Sequence, residues 1–399
     1  SMNRYMIQMK RSKKNILIFN NDLSPFLYMK IEFNIDVITI STIIILGLFA
    51  AIVLYPKKVN RLPNKILSFL LLAVSLWLMD AFMRVSGIYQ QNPDAYFNPI
   101  YYSFAFGPLI YLYVYSLVNS SFQIKRIHLL HFIPVIIQAG LYVFLNFQNY
   151  SYKRWYWLEI HEPLTYRIEF DGTFISLAIY TFFSILLILR FQRRIKDNYS
   201  DIEKIRLNWL KIILIILLFL CAQWFVEVIM RDFYQNYYDF NYTTVILGIL
   251  SLILAYGGIT QINMGGLSFE ESGEIKTYSK IEIDESLLEK IQNEMINNRA
   301  FLDPTLTLKS FANKCKTPSR KISEHINHGI KKSFHDYVNE CRVKETQAQL
   351  KTADLNTFTL QSIAFECGFN SKASFNRIFK SNTGKTPSEY LKMIRKEIN

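Results

Sequence analysis

The chain reads as all-α: a seven-helix transmembrane bundle followed by a basic domain of short helices. Three observations predict this. Seven apolar stretches precede Gln261, each near the roughly 20 residues needed to cross a bilayer as a helix. The apolar share, 51% with 15% aromatic, exceeds the usual globular content, and the excess lies before Gln261. Beyond it the composition inverts. Residues 261–304 carry 4 Lys and Arg against 9 Asp and Glu, a net of −5, and residues 305–399 carry 17 against 8, a net of +9. The chain therefore divides into an N-terminal segment (1–35), a seven-span domain (36–260), an acidic linker with a short helix (261–302) and a basic terminal domain (303–399).

Taken in order, Ser1-Met2 reads as an expression scar, and Met29-Lys30-Ile31 offers an alternative natural start, under which residues 1–28 are non-native. The cations Lys10 to Lys14 lack the apolar run and cleavage site of a signal peptide. The expected spans are Asp36–Tyr55, Asn64–Met83, Pro99–Val118, His128–Phe147, Thr173–Phe191, Trp209–Val228 and Tyr242–Thr260. The fifth and sixth are almost free of polar residues, whereas the third and fourth are more aromatic and contain Pro108 and Pro134. Seven such runs in a soluble core would leave little polar surface, which disfavours a soluble helical stack.

Loop charge sets the orientation. Loops after spans one, three and five hold thirteen cations: Lys57, Lys58, Arg61, Lys65, Lys125, Arg126, Arg190, Arg193, Arg194, Lys196, Lys204, Arg206 and Lys211. Loops after spans two, four and six hold five, namely Arg84, Lys153, Arg154, Arg167 and Arg231, with several acids among them. Positive charge stays inside. The reading is a multi-pass membrane protein, N-terminus outside and C-terminus in the cytoplasm. The aromatic segment Tyr152–Pro163 then reads as an outer loop.

Asp284–Asn298 spaces Leu287, Leu288, Ile291 and Met295 as one helical face. Docking on the terminal domain and dimerisation both fit one short helix, with docking favoured. In that domain Cys367-Gly368-Phe369 ends a short apolar helix in a glycine turn, Ser371 caps a new helix, Gly384 stops it and Pro387 opens a last one. Phe375, Ile378 and Phe379 form its apolar side, and Lys372, Asn376 and Arg377 its polar one. Two helices joined by a tight turn, the second basic outside, are how a helix-turn-helix presents side chains to a major groove. Phe311, Ile322, Ile326, Ile363 and Phe369 read as core.

The run GF…S…F…FK…G…TPSEY, the upstream unit LTLKSFANKCKTPSRKISEHIN and the helix FHDYVNECRVKETQAQLK with Arg342 resemble the AraC-type (AraC/XylS) family of bacterial transcription regulators. The resemblance covers residues 303–396 and implies a cytoplasmic two-unit DNA-binding domain with one recognition helix in each of two successive major grooves. It places those helices near 318–327 and 371–380. It implies Arg320, Ser323 and Glu324 facing bases from the first, and Lys372, Ala373, Asn376 and Arg377 from the second. The chemistry suits this: Arg and Lys reach guanine, Asn pairs with adenine and Ala meets a thymine methyl. Lys321, Lys331, Lys332, Lys380 and Lys385 fit phosphate contacts, which supply affinity and salt dependence.

Within the spans, Trp77–Arg84 (WLMDAFMR) and Trp224–Arg231 (WFVEVIMR) look alike, each with an acid and an Arg at i,i+4. This suggests that spans one to three and five to seven are parallel repeats. Asp80, Arg84, Glu227 and Arg231 are expected to rim an outward sensor pocket, because ionisable groups at membrane depth are functional candidates; interfacial ion pairs beside belt tryptophans are the alternative. His128 and His131 are too few for a metal site, and the four cysteines have no CxxC or Cys/His spacing. No catalytic constellation argues for an enzyme, and no cofactor or metal is expected. The expected partners are double-stranded DNA, membrane lipid, an unidentified small-molecule or membrane signal, and a second copy in a homodimer. Two readings follow: a membrane-embedded one-component regulator coupling a sensed signal to DNA binding, or a seven-span transporter or carrier with a fused DNA-binding module.

Overall fold

The computed structural model describes residues 31, 33–203, 205–234, 242–264, 283–352 and 358–398. The expected non-native segment 1–28 and residues 265–282 of the acidic linker lie outside the described residues. Among those described the secondary structure is helical, apart from an isolated antiparallel bridge between Tyr199 and Thr307. The chain divides into two compact units. The first is Ser1–Ile188 with Asn208–Gly266, and the second is Leu189–Leu207 with Leu267–Asn399. The division does not follow sequence order, since the connection between the fifth and sixth long helices belongs with the C-terminal region.

The first unit holds α1 (Ile35–Leu54), α2 (Arg61–Val85), α3 (Phe106–Val118), α4 (Ile133–Asn146), most of α5 (Tyr166–Asn198), α6 (Asn208–Tyr234) and α7 (Tyr242–Thr260). Asn34 opens α1 by accepting the Val37 N–H at 2.8 Å. α1, α2, α3 and α7 pack together, and α6 packs on α7. Close approach depends on small residues: a Cβ built on Gly257 would lie 2.1 Å from the Trp209 ring. The helices are apolar outside as well as inside. Ile52 and Phe219 are each 72% exposed, and Ile136 and Ile137 67%. In water such faces would be a liability; with lipid as solvent they cost nothing.

Among the described residues six helical stretches are long and apolar enough to cross a membrane, and the shorter apolar helix Ser103–Val118 occupies the third expected position. Residues 99–102 stay outside that helix, where Phe97 takes a left-handed φ of +63° and Tyr102 a φ of −130°. The expected fourth span reaches from Arg126, changing at Leu130–Phe132 to a tighter turn just before Pro134. The expected outer loop 152–163 is helical instead. Asn149 caps the helix Tyr150–Tyr156 by accepting from the Tyr152 N–H (2.9 Å), and a π-helical stretch, Trp157–Thr165, carries Pro163 into α5. Wider π turns accommodate a proline that cannot donate to the usual ladder.

The second unit adds α8 (Glu285–Gln292), α9 (Leu308–Lys314), α10 (Ser319–Glu324), α11 (Phe334–Thr352), α12 (Leu360–Glu366), α13 (Lys372–Thr383) and α14 (Pro387–Ile398). Two apolar clusters support it. Leu287, Ile291 and Met295 share one with Phe311, Ile322, Ile326 and Phe334; Val343, Ile363, Phe369, Phe375, Phe379 and Ile394 make the other. α8 thus packs on the terminal domain's own core. His325 completes that junction, its Nδ1 donating to the Lys321 carbonyl (2.8 Å) while its Nε2 accepts the Asp284 N–H (3.0 Å).

Candidate nucleic-acid interface

Each half of the terminal region is a helix, a turn and a second helix. In the first, Thr307 and Ser310 form a capping box for α9. The chain turns through Lys316 (φ +50°), and Pro318 precedes α10, which has no side-chain cap and widens into a π turn over His325–Ile330. In the second, Thr359 and Ser362 box α12, and Gly368 turns at φ +91°. Ser371 then caps α13 by accepting the Ser374 N–H at 3.1 Å, and Gly384 closes it at φ +75°. The Gly368 turn, the Ser371 cap and the Gly384 stop are the ones expected from the residues. The phenylalanines and isoleucines read as core are buried to 3% exposure or less.

Their opposite faces carry the recognition candidates. Lys372, Ala373, Asn376 and Arg377 are exposed on α13. On α10, Arg320 is exposed and Ser323 and Glu324 are half-buried, and Arg320 Nε lies 2.9 Å from Glu324 Oε1. Lys321, Lys331, Lys380 and Lys385 are exposed. Lys332 is half-buried and ion-paired to Glu340, and Lys385 Nζ lies 2.8 Å from Met393 Sδ.

Between the halves lies Arg342, 1% exposed. Its Nε donates to the Phe301 carbonyl (2.8 Å), its Nη2 to the Asp303 carbonyl (2.7 Å) and Ser200 Oγ (3.2 Å), and its Nη1 to Asn339 Oδ1 (3.3 Å). Burial pushes its pKa down to about 10, opposed by the charges of Asp201 and Asp303, so it stays cationic at neutral pH. The Gly368 turn lies against the same atoms: a Cβ there would meet the Phe301 carbonyl at 2.5 Å and Arg342 Nε at 3.0 Å. Only glycine allows both this approach and this φ.

Sequence reasoning singled out Arg342 but missed its neighbours. His335, Asn339 and Thr346 lie on the same buried face of α11, and the Ser200 carbonyl accepts from His335 Nδ1 (2.7 Å) and Asn339 Nδ2 (2.9 Å). Burial, the largest cause, pushes the His335 pKa below the usual imidazole range. The polar stripe 335-339-342-346, at helical spacing, is the signal that points to this seat; nothing marks Ser200 as its occupant.

Residues 311–393 match the family described as a helix-turn-helix domain. The C-terminal region is an AraC-type helix-turn-helix domain. The curated relative YijO of Escherichia coli (strain K12), an uncharacterized HTH-type transcriptional regulator, is 32% identical over 65 residues, 16% of this chain and 22% of its own length. The chain therefore spans about a fifth (22%) of the curated relative it matches. A solved structure of a protein of unknown function from Listeria innocua overlaps 27% of this chain and 95% of its own at 24% identity, with a TM-score of 0.24. A helix-turn-helix domain of this kind supports double-stranded DNA binding.

Of the four residues expected to rim a sensor pocket, Asp80, Arg84 and Glu227 have described side chains. Asp80 pairs with Arg84 (2.6 Å) and accepts from Tyr89 Oη (2.6 Å), whose ring stacks on Tyr96. Glu227 accepts from Thr243 Oγ1 (2.9 Å) and from Gln223. The side chain of Arg231 lies outside the described residues. The described bonds thus join Asp80 to Arg84 and Tyr89, and Glu227 to α7, without joining the two acids to each other. The segment 152–163 contributes Tyr156, Trp157 and His161 to an aromatic cluster around Phe97 with Tyr142.

Proposed function

We propose that the chain is a membrane-embedded, one-component transcription regulator, in which a signal received by the apolar helices alters DNA binding by the AraC-type domain. The observation that carries this reading is α13. Capped by Ser371 and stopped by Gly384, it presents Lys372, Ala373, Asn376 and Arg377 on its exposed face in a chain whose described residues also hold six helices of membrane length. Arg377 is assigned to a guanine edge, Asn376 to an adenine and Ala373 to a thymine methyl. Arg320, Ser323 and Glu324 face the preceding groove, and Lys321, Lys331, Lys332, Lys380 and Lys385 meet phosphates. The boundary of the sensing part is set near residue 260 and that of the reader near 303, with α8 bracing the reader. The outer ends of α2 and α6, with Asp80, Arg84, Glu227 and Arg231, are assigned to signal reception. Loop charge puts the reader in the cytoplasm.

Chromosomal occupancy tests this. The full-length protein in its own membrane should occupy discrete sites, and Arg377→Ala should erase them together with the expression changes at adjacent genes while membrane insertion stays normal. Unchanged gene control with loss of solute uptake would establish the carrier reading instead.

A further inference from the structure

The chain between α5 and α6 is part of the AraC-type domain's unit, and its acids lie on the second recognition helix. Ser200, 1% exposed, anchors it. Its N–H and Oγ both donate to the Leu306 carbonyl (3.2 and 2.7 Å), while its carbonyl accepts from His335 and Asn339 and its Oγ from Arg342. Ile202 beside it is 1% exposed. From this seat two carboxylates reach the start of α13. Asp201 Oδ2 accepts from Asn370 Nδ2 (3.2 Å), just before the Ser371 cap. Glu203 Oε2 accepts from Arg377 Nε (3.2 Å) and Nη2 (2.9 Å).

The first turns of a recognition helix, with their free N–H groups and cations, attract anions, and DNA phosphates and base acceptors are what they meet in a groove. Here two carboxylates of the same chain already stand there, and the fork of Arg377 is engaged by Glu203. An exposed ion pair contributes little by itself. The holding comes from the buried seat of Ser200, whose backbone carbonyl replaces water for His335 and Asn339 and whose hydroxyl replaces it for Arg342.

We propose that residues Tyr199–Glu203 are an internal competitor of DNA: seated on His335, Asn339 and Arg342, they place Asp201 and Glu203 against Asn370 and Arg377 and close the second recognition helix. This rests on the DNA-binding reading of α13 and adds how that site is regulated. The segment joins α5 to α6, so a movement of either helix acts on it through the chain itself. Release of Glu203 frees Arg377. By linkage, DNA that takes Arg377 weakens the seat of Ser200 by the same factor.

The test uses the full-length protein in lipid nanodiscs and a mixed-sequence DNA duplex at fixed salt. Asp201→Asn with Glu203→Gln should bind about tenfold more tightly than wild type, the gain expected when a mostly closed population is opened. Glu203→Gln alone should move the same way by a smaller factor. Glu285→Gln with Glu289→Gln, which removes the same charge from exposed positions on α8, should not. Equal gains from the two double variants would reduce the effect to net charge and overturn the proposal. Hydrogen exchange supplies a second readout: added DNA should speed exchange of the Ser200 amide, and unchanged protection in bound protein would also overturn it. Arg377→Ala in the Asp201→Asn, Glu203→Gln background separates this from the reading beneath it. Weaker DNA binding there upholds α13 as reader whatever becomes of the competitor, and no loss removes the reading on which the competitor rests.

Discussion

The two halves of the AraC-type domain share a topology and differ in how firmly each recognition helix is made. α13 runs twelve residues between a serine cap and a glycine stop, with a Phe375–Phe379 edge-on pair beneath it. α10 runs six residues, follows a proline with no side-chain cap and loosens into a π turn; its leading cation is tied to Glu324. A long, capped helix holds its side chains in fixed register, which base readout requires. A short one ending in widened turns suits backbone contact better. On the proposed reading, the difference gives sequence choice mainly to the second half and anchoring mainly to the first.

The most damaging change should act on both halves at once. Arg342→Leu leaves the Phe301 and Asp303 carbonyls and the Ser200 seat without their donor. Removing one partner of a buried charged network typically costs about 3–5 kcal/mol. Hydrogen exchange should show lost protection in α9 as well as α13; loss confined to one half would contradict a shared seat.

Gly368→Ala should break the second half alone, at roughly 3 kcal/mol, because strain at φ +91° adds to a 2.5 Å approach on a backbone carbonyl. Gly384→Ala, at φ +75° with open space around it, should cost about 1 kcal/mol. Thermal unfolding of the pair measures the difference, and equal losses would mean that the close packing at Gly368 does not matter.

Effects on binding rather than on folding sharpen the assignment of roles. Arg377→Ala should weaken binding to a selected site by about 1–3 kcal/mol and relax choice at one base pair. Arg320→Ala should cost less and lower affinity evenly across sequences, which a binding series over single-base variants would reveal. At the bottom of the range, Glu324→Gln frees Arg320 from an exposed pair. It should alter stability by less than about 1 kcal/mol while raising affinity slightly, as a salt titration of DNA binding would record.

Much of this was legible because it is local. The caps at Ser371 and Gly384, the turn at Gly368 and the helix from Pro387 each follow from one residue's preference, and the structure has them where the residues put them. The last apolar run matches α7 from Tyr242 to Thr260 because hydrophobic length is also a local property. The rest depends on contacts the chain makes far from itself. The 152–163 stretch becomes helical through Asn149 and packs its aromatics on Phe97, a residue whose left-handed backbone nothing nearby announces. Glu227 looked like the twin of Asp80 but takes its partner from α7. Ser200 meets Arg342 across 142 positions. The third apolar run is shorter than its composition suggests, since the chain around Phe97 and Tyr102 is not helical.

The measurement closest to the central claim is selection from random duplex DNA by the full-length protein in lipid nanodiscs at one stated salt concentration, repeated with Arg377→Ala and with Arg320→Ala. The account predicts one enriched site covering two successive major grooves. Arg377→Ala should erase sequence choice in one of them, and Arg320→Ala should lower recovery without changing the motif. Salt-dependent recovery with no motif, or a motif untouched by Arg377→Ala, would contradict α13 as the part of the chain that reads DNA.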